Sequence, residues 1–229
     1  MGIGKTFKAV SATCPEAVGG HRFERTLLLS DISSKDCYII DVFRTEEGSG
    51  GNRDRYGCII NIQTDTSIKE QWHVTWEIDD SYYQMHHGDL PVYLEYTDVS
   101  GPSTVILCES WVDLWRDKKD SKGTDRMGDW IPMLITRKTG PEGLSSVCVS
   151  VIEPYEGRTN IFSVKRYSAT DFNGTDSESN VAIVILLENG LKVFIVFTDQ
   201  EPENRQDDQN IFGFLNGITM KNLKVKCYH

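Results

Sequence analysis

An all-β protein, built as an antiparallel β-sandwich, is expected from three features of the sequence. Apolar and polar residues alternate at period two through much of the chain, as in "QWHVTWEID" at 71–79, where Trp72, Val74, Trp76 and Ile78 share one face and His73, Thr75 and Glu77 the other. Polar turn clusters interrupt these runs every 8 to 15 residues. No stretch of ordinary helix length shows a 3.6-residue apolar period.

The elements follow in order. "RTLLLSD" (25–31) and "CYIIDVFR" (37–44) flank "ISSKD" and read as a hairpin. "YGCIINIQTD" (56–65), 71–79, "LPVYLEYTDV" (90–99), "STVILCESWVDLW" (103–115) and "WIPMLITRK" (130–138) continue the alternation. So do "SSVCVSVIEPY" (145–155), "NIFSVKRYSA" (160–169), "NVAIVILLEN" (180–189), "LKVFIVFTD" (191–199) and "ITMKNLKVKCY" (218–228). "ENG" at 188–190 separates two strongly apolar runs and predicts a tight hairpin. With no low-complexity linker and no repeat, residues 25–229 are expected to form a single sandwich domain, preceded at 1–24 by an extension or a first edge strand.

Bulk properties exclude several function classes. The 229 residues carry a formal charge of −10 and a pI near 5.0, which argues against a nucleic-acid binder. The longest apolar run, "VAIVILL" (181–187), is far too short for a membrane-spanning helix, and no membrane partner is expected. Six cysteines occur with no CxxC pair, so no zinc ribbon is expected; Cys37, Cys58, Cys108 and Cys148 lie in apolar runs and read as buried thiols. "GKT" near the start lacks the first glycine of a phosphate-binding loop. No basic-plus-apolar stretch of these residues reads as a signal peptide.

Two stretches resemble heparinase II/III-like polysaccharide lyases. "RTLLLSDISSKDCYIIDVFRTEEG" is similar to the family's "R-T-L-x-L-V-D" strand leading to "Y-x-V-D-V-F-R-V-x-G-G". "LITRKTGPEGLSSVCVSVIEPYEGRTNIFSVKRY" (134–167) resembles a second family segment through Arg137, Gly140, Val149, Val151, Glu153, Pro154, Tyr155, Gly157, Ile161, Val164 and Arg166. Together they cover about a quarter of the chain, in the family's order. The resemblance implies a C-terminal sandwich region, a bacterial source and a secreted or periplasmic location. It also implies cleavage of uronic-acid polysaccharides by β-elimination, with much of the chemistry supplied by an N-terminal (α/α) toroid. The sandwich forms one wall of the cleft, often through a turn like "G-G-x-x-H-D-Y-x-x-H-G", sometimes with a metal.

Here the corresponding turn reads "GGNRDRYG" (50–57). Asp54 matches, Arg53 stands where His is expected, and no His follows within the turn. Arginine is neither a general base near neutral pH nor a zinc ligand. No catalytic residue is therefore assigned. The expected function is a non-catalytic, carbohydrate-interacting domain that binds or positions an acidic (uronate) polysaccharide. The alternatives are a lyase, alone or completed by a toroid and needing a pair such as Tyr56 with His73 or His86, and a purely structural domain.

Candidate sugar contacts are Arg53, Arg55 and Tyr56 in the turn, where cations face a carboxylate, and Trp111, Trp115 and Arg116, where aromatic faces stack on pyranose C–H faces beside "RDKKD". His86 and His87 in "YYQMHHGDLP" are the densest histidine feature, although adjacent strand positions point to opposite faces. His73 reads as a cross-strand polar contact. Trp72 and Trp76 read as core. No cofactor is expected; "DFNGTDSE" (171–178) offers oxygen ligands for a structural calcium but departs from the EF-hand spacing, and a turn is the preferred reading.

Overall fold

A computed structural model describes residues 2–3, 7–15, 20–46, 51–55, 61–62, 68–69, 71–77, 90–112, 129–140, 144–167 and 179–197. All paired elements among them are strands, and every pairing is antiparallel. The strands are β1 (Gly2–Ile3), β2 (Phe7–Thr13), β3 (Arg22–Asp31), β4 (Cys37–Glu46), β5 (Gly51–Arg55), β6 (Asn61–Ile62), β7 (Ile68–Lys69), β8 (Trp72–Glu77), β9 (Val92–Asp98), β10 (Ser103–Val112), β11 (Asp129–Gly140), β12 (Ser146–Glu156), β13 (Ile161–Tyr167), β14 (Val181–Leu187) and β15 (Lys192–Phe197). The all-β, antiparallel expectation holds. No helix among the described residues is long and apolar enough to cross a membrane.

The chain divides into two compact units. The first comprises Met1–Gly48, Gln71–Ser100 and Ser145–His229; the second comprises Ser49–Glu70 and Gly101–Leu144. The first unit holds a seven-stranded sheet, ordered β1-β2-β3-β4-β12-β9-β8, and a three-stranded sheet, β13-β14-β15. Tyr38, Ile40 and Val42 of β4 alternate onto the same face as Val147, Val149 and Val151 of β12, and these pack with Val164, Val181, Ile183, Ile185 and Ile195 of the smaller sheet. That shared core makes the unit a sandwich. "VAIVILL" is β14, the middle strand of the small sheet, with Val181, Ile183, Ile185 and Leu187 in the shared core. Ala182 on its other face clusters with Phe194, Tyr167, Val184 and Val196, which explains why the run is apolar throughout.

Both predicted hairpins form. β3 pairs β4 from Arg22↔Glu46 to Asp31↔Cys37, and the turn is tied by the Ile32 N–H to Asp36 O (2.8 Å). At "ENG" the Gly190 N–H donates to Leu187 O at 2.9 Å. Gly190 itself has φ +81°, the left-handed residue that closes a three-residue hairpin loop. On the N-terminal side, β2 pairs β3 and β1 pairs β2, with β1 at the sheet's edge; β3 begins at Arg22, so the residue-24 boundary falls inside a strand.

The second unit is a five-stranded sheet ordered β5-β11-β10-β6, with β7 also pairing β10. Ile106 and Ile135 are buried on one face with Met133 against them. One expectation is corrected here: 51–55 is the edge strand β5, paired with β11, and not part of a turn. Glycines and charges score poorly for strand formation, but an edge strand needs only one partner, and such residues discourage a second. Of the expected strand at 56–65, residues 61–62 are strand; 218–228 lies outside the described residues.

Candidate functional site

The residues that carry the family resemblance turn out to be framework. Arg25 forks onto Asp41, with Nε to Oδ1 at 3.1 Å and Nη2 to Oδ2 at 2.7 Å. Asp41 is fully buried, so this pair satisfies a carboxylate that water does not reach. Arg44, also buried, donates Nη1 to Glu24 Oε1 at 3.0 Å and Nε to Ser179 O at 3.0 Å. It thereby ties β4 to the backbone entering the smaller sheet. Arg166 of β13 donates to Ser100 O at 3.0 Å, a second tie between the two layers.

Glu153, 2% exposed, accepts from Thr159 Oγ1 at 2.6 Å and from the Asn160 N–H at 2.7 Å. It fixes the connection from β12 to β13. Gly157 in that connection has φ +70°, and a Cβ there would lie 2.8 Å from Leu90 Cδ1.

Beyond these, β8, β9 and β12 assemble a polar platform that the sequence did not single out. Register places Tyr155 opposite Tyr93 and Tyr93 opposite Glu77. The next row is Glu153, Glu95 and Thr75, and the next Val151, Thr97 and His73. The Tyr93 and Tyr155 rings stack with centroids 5.3 Å apart. Burial pushes the Glu95 carboxyl up; His73 opposes this and the Glu153 carboxylate adds to it. Burial likewise raises the Tyr155 phenol, reinforced by Glu95, Glu153 and Tyr93 and opposed by a hydrogen bond from Thr75. His73 is thus a cross-strand polar neighbour of Glu95. On the reverse face Trp72 is buried against Tyr96, ring centroids 5.4 Å apart, as expected of a core tryptophan. The platform's three carboxylates repel an anionic chain.

The predicted contacts concentrate in the second unit. Arg53 lies opposite Lys138 and Arg55 opposite Thr136. Trp111 lies opposite Trp130 on the β10–β11 pair. Alternate positions along paired strands share a face, so positions 53, 55, 111, 130, 136 and 138 all fall on one face of the sheet. From 130 to 138 along β11 this face runs roughly 26 Å. On the same face Leu107 is exposed, whereas Ser103, Val105 and Thr136 are buried. Tyr56, Trp115, Arg116, His86 and His87 lie outside the described residues, as do the calcium-type loop 171–178 and Cys58 and Cys227. Tyr56 and His86 of the catalytic-pair reading are therefore not placed. Cys148 is buried and reduced, Cys37 half-buried and reduced. Among the described residues no group of three or more His, Cys, Asp and Glu side chains could hold a metal.

Comparison with solved structures decides the fold. The chain is similar in fold to part of heparinase III. Heparan sulfate lyase HepC from Pedobacter heparinus superposes with a TM-score of 0.52 at 13% identity, covering 86% of this chain and 26% of that one. The heparinase III BT4657 gene product superposes with a TM-score of 0.50 at 12% identity, covering 85% and 26%. The chain thus spans about a quarter of the length of these heparinase III structures. No protein-family profile matches the chain, and no curated protein matches it. The heparinase-like fold agrees with the resemblance read from the sequence, and the framework contacts give it a physical basis.

Proposed function

We propose that this chain is a heparinase-like sandwich domain that binds or positions an acidic polysaccharide and is not itself catalytic. One observation carries the reading: β-sheet register brings Arg53, Arg55 and Lys138 to the same sheet face as the paired positions Trp111 and Trp130. Cationic and aromatic residues on one extended face suit a uronate chain, whose carboxylates pair with arginine and whose ring faces stack on indole. The acidic platform of the first unit supports assigning the polymer to the second unit. In this reading the domain is one wall of a cleft whose other wall is an (α/α) toroid, consistent with solved structures of similar fold that are more than three times as long.

Affinity electrophoresis through gels containing heparin, chondroitin sulfate, hyaluronan, alginate or a neutral glucan tests the proposal. Retardation by a uronate polymer is expected, with none by the glucan. Arg53→Ala combined with Arg55→Ala should remove most of that retardation. Equal mobility in every gel would overturn the reading.

A further inference from the structure

We infer that the first unit holds a second, unrelated binding site, for a small monocyclic ligand carrying a hydroxyl group. A cavity of about 260 Å³ lies between the β3–β4 hairpin and the β14–β15 hairpin. Its buried wall includes Phe7, Ser30, Tyr38, Leu187 and Ile195. Half-buried Asp31 and exposed Asn189, Leu191 and Lys192 form the rim. The cavity is open to solvent and built wholly from one unit.

Size and chemistry bound the ligand. A cavity of about 150 Å³ lined by aliphatic and aromatic side chains accepts benzene, and drug-sized ligands occupy about 300–1,000 Å³. The present volume falls between, so it suits a single substituted ring. Tyr38 is 1% exposed, and its buried hydroxyl has at most one partner, Ser30. Ser30 lies opposite Tyr38 in register, and a side-chain hydrogen bond from Ser30 opposes the burial-driven rise of the phenol. A phenolic hydroxyl can both donate and accept, so capacity remains for a ligand atom at the buried end. A buried polar group left short of a partner is a point of selectivity, because a hydroxyl-bearing ring satisfies it and a bare ring does not.

Phenol and benzene are the probes, titrated into the intact chain by calorimetry and by chemical-shift mapping. Phenol is expected to bind about tenfold more tightly than benzene, the value of one hydrogen bond. Tyr38→Phe should abolish that preference while leaving benzene binding in place. Equal affinity for the two probes, or no binding of either, overturns the inference. Should Tyr38→Phe lose both probes, the unaltered protein decides: phenol-induced shifts at Phe7, Leu187 and Ile195 support the site, and shifts confined elsewhere overturn it.

Discussion

The two units of this chain use the same strand vocabulary to different ends. In the first, a seven-stranded and a three-stranded sheet share one core, and buried ions and hydrogen bonds lock the layers: Arg44 to Glu24 and Ser179, Arg166 to Ser100, Glu153 to Thr159 and Asn160. In the second, one five-stranded sheet carries the small cluster of Ile106, Ile135 and Met133, and its edge strand is glycine and charge. Residues recognisable across a family concentrate where burial makes substitution costly. Residues proposed to meet a ligand concentrate where register, and not burial, sets their position. The lesson is that motif similarity here reports architecture, while the polysaccharide contacts we propose fall on the other unit.

Arg44→Met should break the comparison most forcefully. It strips a buried guanidinium from Glu24 and Ser179, and a loss of about 3–5 kcal/mol is expected in urea unfolding. Glu153→Gln keeps the shape but weakens acceptance from Thr159 and Asn160, with an expected loss of about 1–3 kcal/mol. Neither variant, once folded, should alter retardation by a uronate polymer, whereas the Arg53 and Arg55 substitutions should do the reverse. If the Arg44 variant lost binding while still folded, the division of labour would fail.

Gly157→Ala should cost about 1–2 kcal/mol for its left-handed backbone, plus whatever Leu90 must yield. Gly190→Ala, also left-handed but with nothing within 4 Å of its Cβ, should cost less in the same thermal melts. The chain crosses between the units four times, at 48/49, 70/71, 100/101 and 144/145. We propose on that ground that residues 25–229 unfold in one cooperative calorimetric transition; two resolved transitions would divide the domain.

The smallest effect concerns pH. The Glu95 carboxyl lies above its ordinary value in the folded state, mainly through burial. Between the unfolded and folded values the native state holds more protons, so this group subtracts stability as pH rises through that window. The penalty is complete above the folded value. Glu95 is partly solvated, so the change is small. Glu95→Gln is expected to flatten the decline in unfolding midpoint just above the usual glutamate range, and an unchanged profile would remove Glu95 as its cause.

Period-two patterning was sufficient for most of the strands, because a half-buried strand must alternate: Trp72, Val74 and Trp76 against His73, Thr75 and Glu77 is the clearest case. The turn chemistry of "ENG" was equally legible, since a left-handed closing residue calls for glycine. The framework roles of Arg25, Arg44, Glu153 and Arg166 were visible only as motif letters; their partners lie up to 153 residues away in sequence. Residues 51–55 read as a turn by composition, and became a strand because β11 offered a ladder. The Tyr93–Tyr155 platform and the Tyr38 cavity depend on which strands become neighbours, and nothing local encodes β12 pairing with both β4 and β9. The sequence by itself determined the identity and facing of most strands and the tight turns, which are set within a few residues by sterics and burial. Only the tertiary structure decided strand order, and with it which charges and rings meet, because long-range pairing is selected by the collective burial of a core and not by any single segment.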